Sequence, residues 1–169
     1  MNLIQTAREY ASQCHADCNQ FYDDKPYAYH LGMVAQAVED LTEDYEPTIR
    51  ERLIAGAWCH DLIEDARQTY NDVKEVVGLE VAELAYALTN EKGRTREERA
   101  NDTYYRGIKA TPYATLIKIC DRIANVRHSQ EQQSRMYTVY QREYPNFKAK
   151  LYEAGKYEDA WAELDKLLN

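Results

Sequence analysis

Apolar positions recur at helical spacing along almost the whole chain, and no run shows a convincing alternation of period two. The pattern predicts an all-α protein, a single helical bundle of about eight or nine helices. The expected spans are 2–19, 30–42, 47–65, 70–77, 79–89, 95–109, 112–128, 133–154 and 157–168. Local signals place several ends. Pro47 opens one helix, where the missing N–H costs nothing. Asn71 and Asp72 are the expected caps of the next, and Gly78 its stop. Thr95 with Glu98 fits a capping box, and Thr111 followed by Pro112 opens the helix that runs to residue 128. No repeat, linker or low-complexity tract divides the chain, so residues 1–169 read as one domain.

Charged groups interrupt this apolar periodicity at a few places, and those places matter most. LIAGAWCH is a buried-helix pattern, yet it runs directly into His60-Asp61-Leu62-Ile63-Glu64-Asp65. Burying an ionisable group is costly unless it is paired or bound to a metal. On one helix 47–65, Asp61 continues the stripe of Ile54 and Ala57, and Asp65 follows one turn later. His60 and Glu64 form a second line beside them. In helix 112–128, Asp121 sits among Ile117, Ile119, Cys120 and Ile123, with Asn125 one turn on. His30 opens the apolar run LGMVAQAV after a turn-like segment. His30, His60, Asp61 and Asp121 together offer two nitrogen and at least two oxygen ligands, a set suited to a divalent first-row metal with open positions for water. Such a metal makes bound water a better nucleophile and shields phosphate charge. Glu64 and Asp65 are then placed to orient or deprotonate that water. A buried His-Asp pair, with Asp121 tied separately to Arg122, explains part of the pattern but not three carboxylates within five residues of an apolar helix.

Composition narrows the partners. The formal net charge is −8, which excludes a basic footprint for duplex nucleic acid. A small anionic ligand needs a metal or a local cluster of cations, and the densest basic stretch is TNEKGRTREER, with Lys92, Arg94, Arg96 and Arg99. No segment approaches the roughly 20 apolar residues of a membrane span. The start, MNLIQTAREYASQ, has no signal-peptide pattern, so a cytoplasmic protein with reduced thiols is expected. Cys14 and Cys18 share a helix face near His15, but no second ligand pair follows at zinc-finger spacing. The 15 tyrosines imply half-buried helix faces or a pocket wall. Tyr137, Tyr140, Tyr144 and Tyr152 read as a packing face, and His128 as a surface or capping residue within reach of the pocket edge.

The order His, His-Asp, Asp resembles that of the HD-domain metal-dependent phosphohydrolases, and most closely the RelA/SpoT-type alarmone hydrolases with their small single-domain relatives. PYAYHLGMVA resembles their histidine segment, AGAWCHDLIEDA their His-Asp and Glu-Asp helix, and LIKICDRIANVRHS their third segment with Lys-x-x-Asp-Arg-x-x-Asn intact. The resemblance covers roughly residues 20–130, leaving 131–169 as a helical tail. It implies an all-helical HD domain and a divalent metal, usually manganese in this branch. By the same resemblance His30, His60, Asp61 and Asp121 are metal ligands, and Glu64 and Asp65 manage the attacking water. Asn125 becomes a ribose or substrate contact, against the alternative of a helix-stabilising hydrogen bond. Lys92 and Arg99 become pyrophosphate contacts, against the alternative of a solvated charged surface.

There are departures. Branch members usually carry a basic residue about nine positions before the first histidine, where this chain has Phe21 followed by Tyr22. An aromatic ring can stack on a base, or these two can be ordinary packing residues. The usual threonine after the Glu-Asp pair is Ala66. The turn normally written Gly-x-Pro-Tyr reads Asp24-Lys25-Pro26-Tyr27, so Lys25 can supply a displaced positive charge. The activity expected from the resemblance is metal-dependent hydrolysis of a nucleotide phosphoester or pyrophosphate, foremost the 3′-pyrophosphate of guanosine tetraphosphate (ppGpp). Another nucleotide or phosphorylated small molecule is the alternative substrate. A non-catalytic helical binding module with a structural metal is a reading of a different class. The oligomeric state, including a homo-oligomer, stays open.

Overall fold

The computed structural model describes all residues from Met1 to Asn169. Helix α1 (Leu3–Asp17) leads into a minimal hairpin, β1 (Phe21–Tyr22) and β2 (Lys25–Pro26). There follow α2 (Ala28–Leu41), α3 (Pro47–Cys59), α4 (Leu62–Asp65), α5 (Tyr70–Val77), α6 (Leu79–Ala87), α7 (Arg96–Arg99), α8 (Asp102–Ala110), α9 (Ala114–Glu131), α10 (Met136–Leu151) and α11 (Glu158–Leu168). The fold is all-α, as the periodicity predicts. Two of the eleven segments, α4 and α7, are single turns of four residues, which leaves nine longer helices.

Helix α9 is the axis of the bundle. Thirteen of its eighteen residues are buried, so it runs through the core despite the polar residues it carries. Helices α2 and α3 pack against it, as do α10 and α11. Val34, Leu53, Ile117, Phe147 and Trp161 belong to the core they share. A smaller cluster, with Ala7, Ala11, Leu31 and Leu62, lies under α1 and the α5–α6 pair. Helix α3 serves both clusters, giving Leu53, Ile54 and Ala57 to the first and Ala55 and Cys59 to the second. It therefore runs through the interior at the point where its C-terminal end must deliver polar groups.

Several expected boundaries are corrected. The span 47–65 is not one helix: α3 ends at Cys59, and Asp61 (φ −104°, ψ 4°) interrupts it before the single turn α4. The span 95–109 divides into α7 and α8, because Asn101 caps a new helix by accepting from the Tyr104 N–H at 3.0 Å. Thr111 and Pro112 precede α9, whose cap residue is Tyr113, held at φ 66°. Residues 21–26, where a turn is expected only from Asp23 on, form the hairpin with Phe21 opposite Pro26 and Tyr22 opposite Lys25. Proline is tolerated there because the strand is an edge.

The cap of α5 is Thr69 rather than Asn71 or Asp72. Its hydroxyl accepts from the Asp72 N–H at 3.1 Å, and the Asp72 carboxylate accepts from the Thr69 N–H at 2.8 Å. Thr69→Ala removes half of this reciprocal box. It is expected to cost about 1 kcal/mol of stability, read as a lower midpoint in urea denaturation with an unchanged slope.

Candidate metal centre and its cleft

The interruption at Asp61 builds the site. Consecutive residues of a straight helix point about 100° apart, so leaving helical geometry at Asp61 changes how His60 and Asp61 are aimed relative to each other. With the helix broken between them, His60 Nε2 lies 3.1 Å from Asp61 Oδ2. Asp121, midway along α9, brings Oδ1 to 3.3 Å from His60 Nε2 and 2.9 Å from His30 Nε2. His30, in the first turn of α2, completes the convergence at 4.0 Å from Asp61 Oδ2. All four residues are buried. The structure thus gathers side chains that are 91 residues apart in sequence.

The donor set suits a divalent cation. The His60 Nδ1–H donates to the Ala57 carbonyl at 2.7 Å; a carbonyl only accepts, so Nδ1 carries a proton and Nε2 is the nitrogen that faces the cluster. His60 Nε2 is buried and has no hydrogen-bond partner of its own. An imidazole oriented through its other nitrogen toward carboxylates is the usual arrangement of a metal-binding histidine. Burial works against the Asp61 charge, but His60 beside it holds the carboxyl down at about 2. Burial opposes the Asp121 charge too, and Lys118, His30 and His60 hold that carboxyl well below the usual range. Both acids are therefore anionic and ready to bind a cation.

Glu64 and Asp65 reach the same region from α4. Their carboxylate oxygens and one of Asp61 lie within 4.8 Å of one another. Both are open to solvent on one side. Protein packed on the other side, together with the charge of Asp61, lifts Glu64 to about 7 and Asp65 to about 6. Glu64 Oε1 accepts from the Asn90 N–H at 2.7 Å, which ties the acid to the start of the basic loop.

The other candidate residues divide. Asn125 lines the cleft one turn beyond Asp121. Its amide is already engaged: Oδ1 accepts from the Tyr22 hydroxyl at 2.7 Å, and Nδ2 lies 3.4 Å from Asp121 Oδ1. Tyr22 enters the site, its ring stacked on His30 with centroids 4.6 Å apart. Phe21 points away and is 63% exposed. Lys25 is exposed, its ammonium 5.1 Å from the Tyr29 ring centroid. Arg99 faces the cleft, whereas Lys92 is exposed outside it.

Three contacts went unread in the sequence. The Tyr27 hydroxyl donates to Asp61 Oδ2 at 2.6 Å. Lys118, three residues before Asp121, donates to its Oδ2 at 3.1 Å; the intact Lys-x-x-Asp spacing was the available signal. His128 is buried, not superficial. Its Nε2 meets Asp23 Oδ2, and its ring lies 4.7 Å from that of Tyr22, so it anchors the hairpin. The thiols of Cys14, Cys18, Cys59 and Cys120 are free. His15 turns away from its cysteine neighbours to Gln20 and Tyr27.

Beside the cluster opens a cleft of about 680 Å³ that runs from Lys118, Asp121 and Asn125 to Arg142 and Lys150 of α10, with α7 and the start of α8 as its other wall. No helix is long and apolar enough to cross a membrane.

Comparison with known proteins agrees with this geometry. The chain is 34% identical over 128 residues to a guanosine-3′,5′-bis(diphosphate) 3′-pyrophosphohydrolase of Aquifex aeolicus, a match that covers 73% of this chain and 17% of that protein. It is 29% identical over 107 residues to the Drosophila melanogaster enzyme of the same name, MESH1, covering 62% of this chain and 56% of the relative. The bifunctional (p)ppGpp synthase/hydrolase SpoT of Escherichia coli is 32% identical over 109 residues, covering 61% of this chain and 15% of SpoT. The chain thus spans less than two thirds of each of these three relatives. A solved structure described as a metazoan ortholog of SpoT that hydrolyzes ppGpp superposes with a TM-score of 0.77 at 22% identity, covering 99% of this chain and 94% of that one, and shows the same fold. Residues 7–153 match the HD domain, and with its two histidines and two aspartates gathered at one buried point the chain belongs to the HD domain family.

Proposed function

We propose that this protein is a metal-dependent phosphohydrolase that removes the 3′-pyrophosphate of guanosine tetraphosphate, with manganese as its metal. The observation that carries this reading is the convergence of His30, His60, Asp61 and Asp121 at one buried point, with Glu64 and Asp65 alongside and a cation-lined cleft leading away. The names of the relatives supply the substrate. The whole chain is read as one domain, since α10 and α11 share the core of α2, α3 and α9.

In this mechanism the four ligands hold the cation, which when bound supplies Lewis acidity and offsets phosphate charge. Glu64, beside Asp61 and tied to the Asn90 N–H at 2.7 Å, accepts the proton of the attacking water as general base. Asp65 orients that water. Lys118, beside Asp121, and Arg99, across the cleft, offset negative charge that develops on the phosphoryl oxygens. Asn125 holds the ribose once the Tyr22 hydroxyl releases its amide oxygen. Lys92 and Lys25 stand outside the cleft and act at most by long-range attraction.

One observation favours a second substrate. Tyr22 is stacked on His30, Phe21 faces solvent, and neither lines the cleft, so neither ring is placed to stack on a guanine bound there. A different nucleotide, bound mainly through its phosphates, fits this wall as well.

The deciding experiment is hydrolysis of guanosine tetraphosphate with manganese and with a chelator, reading released pyrophosphate. Release that requires manganese is expected. Absence of release from guanosine tetraphosphate, with metal-dependent release of phosphate or pyrophosphate from another nucleotide in a panel, would transfer the same centre to the second substrate.

A further inference from the structure

Six cationic side chains line the cleft, against four carboxylates. Most of the cations are already engaged. Lys118 is paired with Asp121, and Lys150 donates to Asp102 at 2.7 Å. The largest commitment is at Glu143 of α10. Arg96 Nε donates to Glu143 Oε2 at 2.8 Å, Arg96 Nη2 donates to Oε1 at 2.9 Å, and Arg122 Nη1 donates to the same Oε1 at 3.2 Å. Two guanidinium groups therefore converge on one carboxylate inside the cleft. A fork of this geometry grips phosphate as readily as carboxylate.

The two arginines differ in freedom. Arg122 follows Asp121 directly on α9, with its side chain 10% exposed. Its guanidinium lies 4.4 Å from the Phe147 ring centroid and 5.0 Å from that of Tyr140, so it is fixed. Arg96 sits on the single turn α7, which has no buried residue, and its side chain is 46% exposed. Arg96 is thus the more exposed of the two and Arg122 the more enclosed. Partial burial pushes the Glu143 carboxyl up, but Arg96 and Arg122 outweigh it and hold the group below its ordinary value, so the seat is filled by an anion.

We propose that Glu143 is a resident anion in a two-arginine phosphate seat, and that it is a specificity-determining residue which sets how tightly the cleft holds the phosphate groups of its ligand. A ligand phosphate entering the seat takes Arg96 from Glu143 and meets the fixed Arg122. Asp121 and Arg122 line the same cleft, so the fitting ligand class is one that can reach the metal ligands with one phosphate group and present another to this seat. The identity of that ligand rests on the function proposed above; the seat itself does not.

The test is calorimetric titration of the manganese-loaded protein with inorganic pyrophosphate. Glu143→Gln removes the competing charge and keeps the shape. Pyrophosphate is expected to bind about tenfold more tightly to it, the scale of a charge-assisted hydrogen bond gained, with a lower KM for guanosine tetraphosphate. Arg96→Gln leaves the Glu143 charge facing the cleft and is expected to weaken pyrophosphate binding. In the double variant the gain from Glu143→Gln should vanish. A Glu143 that only holds α7 in place predicts the opposite sign, because loosening α7 would weaken binding. Unchanged or weaker pyrophosphate binding by Glu143→Gln overturns the proposal. If that variant does not fold, unchanged binding by Arg96→Gln does so instead. Pyrophosphate binding is read whether or not guanosine tetraphosphate is hydrolysed, so failure of the seat and failure of the substrate assignment are separate results.

Discussion

Asp61→Ala is expected to abolish metal binding and hydrolysis together. The substitution removes one of four converging donors, the oxygen that lies 3.1 Å from His60 Nε2. It also strands the Tyr27 hydroxyl, which donates to that oxygen at 2.6 Å and is largely enclosed; burial and the Asp61 charge both push its pKa up. Loss of a supporting residue around a metal ligand already costs about 10–100-fold in affinity or activity, so loss of a ligand should exceed about 100-fold. Metal content after dialysis and manganese-dependent hydrolysis are the two readouts. His60→Ala should behave alike, with the Ala57 carbonyl losing its donor as well. Metal-dependent turnover retained in either variant would remove the centre from the mechanism.

Glu64→Gln is expected to separate chemistry from metal binding. The side chain keeps its size, and its amide oxygen can still accept from the Asn90 N–H, so the start of the basic loop stays tied. What is lost is the ability to take a proton. General-base assistance contributes about 10²–10⁴-fold, so kcat should fall by that order while the four-residue cluster still loads manganese. Wild-type kcat in this variant would assign the base to Asp65. Loss of metal together with activity would instead make Glu64 a ligand, and would favour a closed structural site over a hydrolytic one.

Much of the bundle was legible because helical periodicity is a local property. Where a boundary was misread, a competing local contact had won. The Thr69–Asp72 box displaced the cap expected at Asn71 or Asp72, and the Asn101 cap divided the span 95–109. The split of 47–65 has a different cause. Nothing local in LIAGAWCHDLIED ends a helix; the bend accompanies the approach of His60 and Asp61 to His30 and Asp121 on two other helices. The hairpin escaped notice for a related reason, since two residues per strand leave no alternation to read. It is held from outside by His128 on Asp23 and by Tyr22 on His30.

The chain by itself determined the all-α class, the apolar faces, and the polar residues that stand out on them: His30, His60, Asp61, Glu64, Asp65 and Asp121. Burial cost makes such residues conspicuous in one dimension, because a charge on an apolar helix needs a partner wherever that partner lies. Only the tertiary structure decided which atoms meet. It turned Tyr22 inward and Phe21 outward, left Lys92 outside the cleft and placed Arg99 on its wall, and set Glu143 of the helical tail between Arg96 and Arg122. These outcomes depend on distances between segments far apart in sequence, and a hydrogen bond forms only when donor and acceptor come within about 3.5 Å, a condition that spacing along one chain does not encode.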